Sequence, residues 1–306
     1  MSFKQLGIKL AYEQLEKRGD KLQSFADMID WSRFKTIFLR HSNTGRPPYN
    51  PVMMFKVLIL QHLYGISDEE VEYQIADRIS FQRFLEFPKE IPVHSTIWRF
   101  KEYLSESNLH DKIWNELNRQ FEKKGISYSK GVIQDASFIT ANPGKTNSSD
   151  KIDRGRGQPT TRNEDGTWST KNKKSYFGYK LHTKVETKNG FITELAVTTA
   201  RVHDNQIDLS KEDEVIYRDK GYFGAKPKAK GDATMKRNVR GSKLNIRDKL
   251  RNLRITKKRS RGELPFSVIK TVLKGGHTFC TEIHRVFTQQ FMNSIVHNLL
   301  QVKRLS

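Results

Sequence analysis

Three acidic residues stand where they could do chemistry. Asp135 closes the apolar run Gly131-Val-Ile-Gln-Asp135, and Asp219 closes Glu214-Val-Ile-Tyr-Arg-Asp219. Glu263 opens a helix-like run, Glu263-Leu-Pro-Phe266, with Lys270 seven residues on. Two strand-end aspartates and a helical glutamate can hold two hard divalent cations against a phosphodiester, because such cations take oxygen ligands and share them with phosphate. The expected chemistry is cleavage of nucleic acid. A plainer reading stands beside it. With 34 acids in the chain some fall at strand ends by chance, and Glu263 suits a helix N-terminus electrostatically. Spacing alone leaves the two readings even; the basic residues around Glu263 (Arg259, Arg261 and Lys270) favour the first, since a phosphate backbone and a metal could meet there.

The elements that must carry these acids fall in two blocks. Residues 1–125 read as helical, with apolar spacing over 9–17 and 21–29. Gly45-Arg-Pro-Pro-Tyr-Asn-Pro51 reads as a loop, and Pro51 suits the first turn of a helix through Leu63 that is apolar on nearly all sides. Gly65 ends that helix, and Ser67-Asp-Glu-Glu70 reads as a capping box. Helices are predicted over 80–87, over 95–104 with Ser95 as cap, and over 108–123. Such short helices form a bundle that could hold a helix-turn-helix.

From residue 126 the period changes to two. Strands are predicted over 131–140, 177–186, 191–200 and 213–219, the middle pair joined at Asn189-Gly190 as a hairpin. The polar segment 141–176 is expected to be mobile. Helices are predicted over 263–273, with Lys270 on the same face as Glu263, and over 283–304, carrying Phe287, Phe291, Ile295, Leu299 and Val302. The domain division is 1–125 (helical, DNA-binding) and 126–306 (catalytic).

Charge points to the partner. The net charge is +21. Residues 1–125 hold 19 Lys+Arg against 17 Asp+Glu, and the remainder holds 36 against 17. Residues 236–261 hold twelve Lys/Arg and one acid, Asp248. A polyanion is the implied partner of the second block, and Arg254, Lys257, Lys258, Arg259, Arg261 and Lys270 are its expected DNA contacts. A solubilising surface would mix both signs. The single Cys280 excludes an intramolecular disulfide and a multi-cysteine zinc site. The N-terminus shows no signal peptide and no run is apolar for long enough to span a bilayer, so a cytoplasmic protein, on the nucleoid when bound, is expected.

Several residues have plainer readings. His182 alternates with Tyr179 and Leu181 and is expected to pack. His203-Asp204 could lie near the acids, but a loop cap is at least as good a reading. Trp98 and Phe100 are expected in a core, and Trp168 is split evenly between core and stacking on DNA.

Taken in order, the motifs resemble the DDE transposases of bacterial insertion sequences, in the insertion-sequence-five group. The N-terminal part is similar in Gly45-Arg-Pro-Pro-Tyr-Asn-Pro51, the run from Val52 to Leu63, Ile66-Ser-Asp-Glu-Glu70 and Phe81-Gln-Arg-Phe-Leu85. The second part is similar in Asp135-Ala-Ser137, Tyr179-Lys-Leu-His182, Val202-His-Asp204, Asp219-Lys-Gly-Tyr222 and Arg259…Glu263…Lys270. The resemblance implies an α/β, RNase H-like mixed sheet flanked by helices behind an all-helical domain. It implies catalytic, metal-binding Asp135, Asp219 and Glu263, with Mg2+ as cofactor and Mn2+ as substitute. It implies cutting of double-stranded DNA at inverted-repeat ends and joining of the 3′-hydroxyl to target DNA, for which synapsis would suit a homodimer. A tyrosine expected three residues before Arg259 is Thr256 here. A metal-dependent nuclease without strand transfer, and a DNA-binding regulator without catalysis, are the competing readings.

Overall fold

The computed structural model describes residues 3–38, 49–145, 163, 165–171, 173–239 and 241–305. Residues 45–48 of the Pro-rich loop, and 146–162, 164 and 172 of the polar segment, lie outside the described residues. The chain divides into two compact units, Met1–Ser127 with Val302–Ser306, and Tyr128–Gln301.

The first unit is helical: α1 (Phe3–Arg18), α2 (Gln23–Met28), α3 (Phe34–Ile37), α4 (Pro51–Tyr64), α5 (Asp68–Asp77), α6 (Ile79–Phe84), α7 (His94–Glu106) and α8 (His110–Lys123). Punctuation residues set the ends of α4 and α5. The Asn50 side chain accepts from Val52 N at the start of α4, with Pro51 in the first turn. Gly65 closes α4 at φ +58, a conformation that favours glycine. Ser67 accepts from Glu70 N to open α5. Helix α4 is buried on nearly every side, against a cluster of Trp31, Phe34, Phe38 and Phe84 around Phe55. Even Lys56 is buried, its ammonium donating to Glu86 Oε1 at 2.6 Å and lying 5.1 Å from the Trp31 ring centre.

Two expectations fail in this unit. Ser95 does not cap α7, which begins one residue earlier; the Glu72 carboxylate accepts from His94 N at 2.6 Å and meets the helix's free N–H groups from another helix. Trp98 is not core: it is 50% exposed, while Ile97 and Phe100 on the same helix are buried.

The second unit is built on a mixed sheet, with seven strands among the described residues: β1 (Gly131–Ala141), β2 (Thr167–Lys171), β3 (Lys174–Glu186), β4 (Ile192–Thr199), β5 (Val215–Arg218), β6 (Gly231–Thr234) and β7 (His277–Thr278). The main path is β2-β3-β1-β5-β6, with β4 on β3 and β7 on β1. β1 and β3 are antiparallel from Val132↔Glu186 to Thr140↔Gly178. On its other edge β1 pairs in parallel with β5 over Gly131–Ile133 and with β7 over Thr140–Ala141. Between Ile133 and Thr140 no described strand pairs that edge. Gly178 sits at φ +136, where an added Cβ would lie 2.4 Å from the backbone carbonyl of Ile139, so only glycine lets β1 and β3 pair this closely.

β3 is buried from Phe177 through Glu186 on both faces. Its alternation therefore does not divide water from core; it divides apolar side chains from paired polar ones. Lys184 bonds Glu194 and Glu214, at 2.8 and 3.1 Å. His182 Nε2 lies 2.9 Å from Thr198 Oγ1, so His182 packs as expected. The Glu186 carboxylate accepts from the N–H groups of Lys188 and Asn189 and stabilises the hairpin turn.

Helices flank the sheet: α9 (Ile246–Arg259), α10 (Glu263–Ser267) and α11 (Ile283–Leu305). The Asn298 side chain of α11 brackets Ile192 at the start of β4, accepting from its N–H at 2.9 Å and donating to its C=O at 2.8 Å. This mixed sheet with flanking helices is the RNase H-like architecture. The polar segment 141–176, expected to be mobile, contains β2. α9 was also unforeseen, formed within the most basic stretch and capped by Asn245, whose side chain accepts from Asp248 N.

Candidate active site

Asp135 and Asp219 stand together because of strand register. β1 and β5 run parallel with Gly131↔Val215, Val132↔Ile216 and Ile133↔Tyr217 as partners. Carried on by two residues, that register sets Asp135 beside Asp219. The apolar pairs Val132-Ile133 and Val215-Ile216 are the paired, mostly buried part of the seam, and the two acids leave it where the ladder ends. Asp219 is fixed by its own turn: its Oδ1 accepts from Gly221 N at 2.8 Å. A Cβ on Gly221 would lie 2.9 Å from that oxygen, so glycine keeps the carboxylate free of steric pressure.

Asp135 faces the helical layer. Successive residues of a strand point to opposite faces, so Asp135 shares the face of Ile133. Ile133 packs on Gly262, where an added Cβ would lie 2.5 Å from Ile133 Cγ2. Glu263 is the next residue and opens α10. It is exposed, and among the described residues no three acidic, histidine or cysteine side chains are grouped closely enough to hold a metal ion. The structure thus brings the two aspartates together, and starts the glutamate helix on the same face without closing the set.

Arg259 takes the cationic place. Its Nη2 lies 3.0 Å from Asp135 Oδ2, with both side chains mostly buried. The other Asp135 oxygen accepts from Ala136 N at 2.8 Å. Burial raises the Asp135 carboxyl above the usual carboxylate range. The Asp219 charge pushes the same way, while Arg259, the Ala136 N–H and Lys171 pull it down. Tyr222 lies buried close by, its hydroxyl pKa raised by burial first and then by the charges of Asp135, Asp204 and Asp219.

The other expected contacts divide. Arg254, Lys257 and Lys258 are exposed on α9. Arg261 is already committed: its Nη1 donates to Thr187 O and Lys188 O, each at 2.7 Å, and so clamps the β3–β4 turn. Lys270 lies within a π turn formed by Val268–Val272, with Leu273 N bonded to Val268 O at 3.0 Å, a wider turn than the α-helical spacing from which the shared face with Glu263 is expected. Burial lowers the Lys270 pKa, and the Lys171 charge adds to that. Thr256 bonds back to Asn252 O at 2.9 Å.

Lys171 and Lys180 carried no site signal of their own in the sequence, whereas Asp204, which the sequence allows near the acids, lines a cavity together with Asp219. Lys180 of Tyr179-Lys-Leu-His182 meets Asp204 of Val202-His-Asp204 at 2.8 Å. The two stretches had stood out in the sequence, but their pairing is a matter of topology. The cap reading of His203 also holds, since its Nδ1 accepts from Asn205 N at 3.3 Å. Trp168 is 50% exposed on β2, with its ring 5.3 Å from Phe177. No helix among the described residues is long and apolar enough to cross a membrane.

Comparison with protein families gives two matches. Residues 128–299 match the model described as Transposase DDE domain, and residues 10–103 match the one described as Transposase domain (DUF772). No solved structure gives a significant match to the chain.

Proposed function

Because the chain belongs to the transposase DDE domain family, whose members act on DNA, we propose that it cuts DNA at the ends of an insertion sequence and joins the freed 3′-hydroxyl to target DNA. The observation that carries this reading is the side-by-side placement of Asp135 and Asp219 at the end of the β1–β5 seam.

The donor set suits a hard divalent cation. The adjacent residues offer carboxylate oxygens only, and a guanidinium already stands against Asp135 as the counter-charge. Asp135, Asp219 and Glu263 would hold Mg2+, or Mn2+ in its place, with Glu263 completing the set from α10. Such cations, when bound, would activate the attacking oxygen and stabilise the departing one.

The chain's own residues supply position and charge. Arg254, Lys257 and Lys258 on α9 offer exposed cations to the DNA backbone, Arg259 stands against Asp135, and Lys270 would add a further phosphate contact. In the first step water attacks phosphorus, the P–O3′ bond breaks, and the 3′-hydroxyl is released. In the second, that hydroxyl attacks a target phosphodiester and displaces another 3′-oxygen. The helical unit would read the end sequence.

The test is Asp135→Asn, assayed with a duplex of the DNA bordering the gene, where the reading expects an inverted repeat. DNA binding should persist while cleavage and joining in Mg2+ or Mn2+ vanish. Full metal-dependent cleavage by the variant would sink the assignment. Cleavage by the native protein with no joined product or target duplication would leave a nuclease instead.

A further inference from the structure

Two sequence stretches that the metal centre does not use meet beside it. Lys180, on β3, is buried, and its ammonium donates to Val202 O at 2.7 Å and to Asp204 Oδ1 at 2.8 Å. It also lies 5.3 Å from the Phe138 ring centre. An ammonium carries three N–H donors, so two are anchored and one remains.

That donor has somewhere to point. A cavity of about 290 Å³ is lined by Lys180, Lys171, Asp204 and Asp219, with Ser137 and Phe138 of β1. The β1 residues lie on the stretch of its edge that neither β5 nor β7 covers. The cavity therefore opens where the ladder is interrupted, with one wall shared with the metal-binding acids. It is at the small end of ligand pockets, far too small to take a duplex.

We propose that this cavity is a phosphate subsite for a single DNA strand beside the cleaved bond, with Lys180 as the buried cation that holds the phosphate and Asp204 as the residue that positions Lys180. The proposal rests on the DNA-cleavage reading above. A purely structural ion pair explains less. Burying the Lys180 ammonium is costly even beside the part-exposed Asp204 carboxylate, and well-packed apolar residues commonly serve stability as well or better. A buried lysine anchored on two sides, with its remaining donor beside Asp219's cavity, is what gripping an anion requires. Phosphate oxygens accept strongly from charged donors, and Lys171 adds a second cation to the lining.

The test uses a nicked duplex of the DNA end that the native protein cuts. Its phosphates near the cleavage site are replaced one at a time by uncharged methylphosphonates, and binding is measured without divalent metal. In the native protein one position should cost about tenfold in affinity, the worth of one charge-assisted contact. In Lys180→Met that cost should disappear at that position alone, while the others persist. Ser169→Phe, which fills the cavity and leaves the ion pair intact, should do the same and serves if Lys180→Met does not fold. Lys180→Arg should keep the sensitivity. A Lys180→Met protein with the full native profile, or one weakened equally at every phosphate, would overturn the proposal. Cleavage by Asp135→Asn would instead sink the cleavage reading, so the two failures are distinguishable.

Discussion

Arg259 and Asp135 meet as an ion pair, Nη2 to Oδ2 at 3.0 Å, across 124 residues of chain. The pair joins the end of α9 to the middle of β1 and fills one carboxylate oxygen that a divalent cation would use. Arg259 should therefore compete with metal. Arg259→Gln is expected to bind Mn2+ about tenfold more tightly without DNA, a difference of ~1.4 kcal/mol, and Asp135→Asn should abolish the gain. Calorimetric or spin-resonance titration checks it. Unchanged affinity would mean that the guanidinium moves aside without cost.

Gly262 lets α10 approach β1. A Cβ there would fall 2.5 Å from Ile133 Cγ2, so Gly262→Ala should lift the helix that carries Glu263 and cost about 1–3 kcal/mol of stability. Ile133→Ala alone should cost about 2–5 kcal/mol by opening a void. Combined, the two should cost less than their sum, because each relieves the other. Urea unfolding of the four proteins measures this. Strict additivity would show that the contact does not constrain the helix.

The basic side chains should separate by what they already touch. Arg254→Ala, Lys257→Ala and Lys258→Ala should each weaken DNA binding and flatten the logarithmic salt dependence by about one unit. Arg261→Ala should leave the salt slope nearly unchanged and lower stability instead, since its guanidinium holds the carbonyls of Thr187 and Lys188. A salt slope changed by Arg261→Ala as much as by Lys257→Ala would contradict this division.

Acid should weaken the second unit through its buried histidines. Burial lowers the His297 pKa to about 4, with the Gly190 carbonyl opposing. Burial lowers that of His182 to about 4 as well. Each is neutral when folded, whereas the unfolded chain takes up a proton below about pH 6.5. Unfolding therefore binds protons, and stability falls as pH drops from about 6.5 to 4. The full effect is about 3 kcal/mol per histidine. Between pH 7.5 and 5, His297→Gln should lose about 2 kcal/mol less than the native protein. Equal losses in urea melts would place the acid sensitivity elsewhere.

Much of this architecture was legible where one local signal dominates. Period-two runs marked β1, β3 and β4, and the apolar pairs before Asp135 and Asp219 marked where two strands deliver acids. Asn50, Pro51, Gly65 and Ser67 marked helix ends through their own backbone chemistry. Short polar strands gave no such signal: β2 reads Thr-Trp-Ser-Thr-Lys, and β7 is two residues long. α9 was hidden because Ile246, Leu250 and Leu253 lie exposed while Asn252 and Ile255 are buried, so apolar spacing does not mark its inner face. Trp98 misled for a related reason, since a large aromatic ring does not say which way a helix turns it. Lys180–Asp204, Arg259–Asp135 and Arg261's clamp are pairings between distant segments, and no residue in any of them announces its partner.

The β1–β5 seam also orders events in time. β3 and β4 can zip from their tight turn, a local and fast step, whereas parallel β5 must find β1 only after the chain between them has closed a long loop. The aspartates sit at the end of that late pairing. A nascent or half-folded chain therefore presents the two acids apart, and any activity that needs them side by side, as the proposed cleavage does, would be gained only with the finished fold.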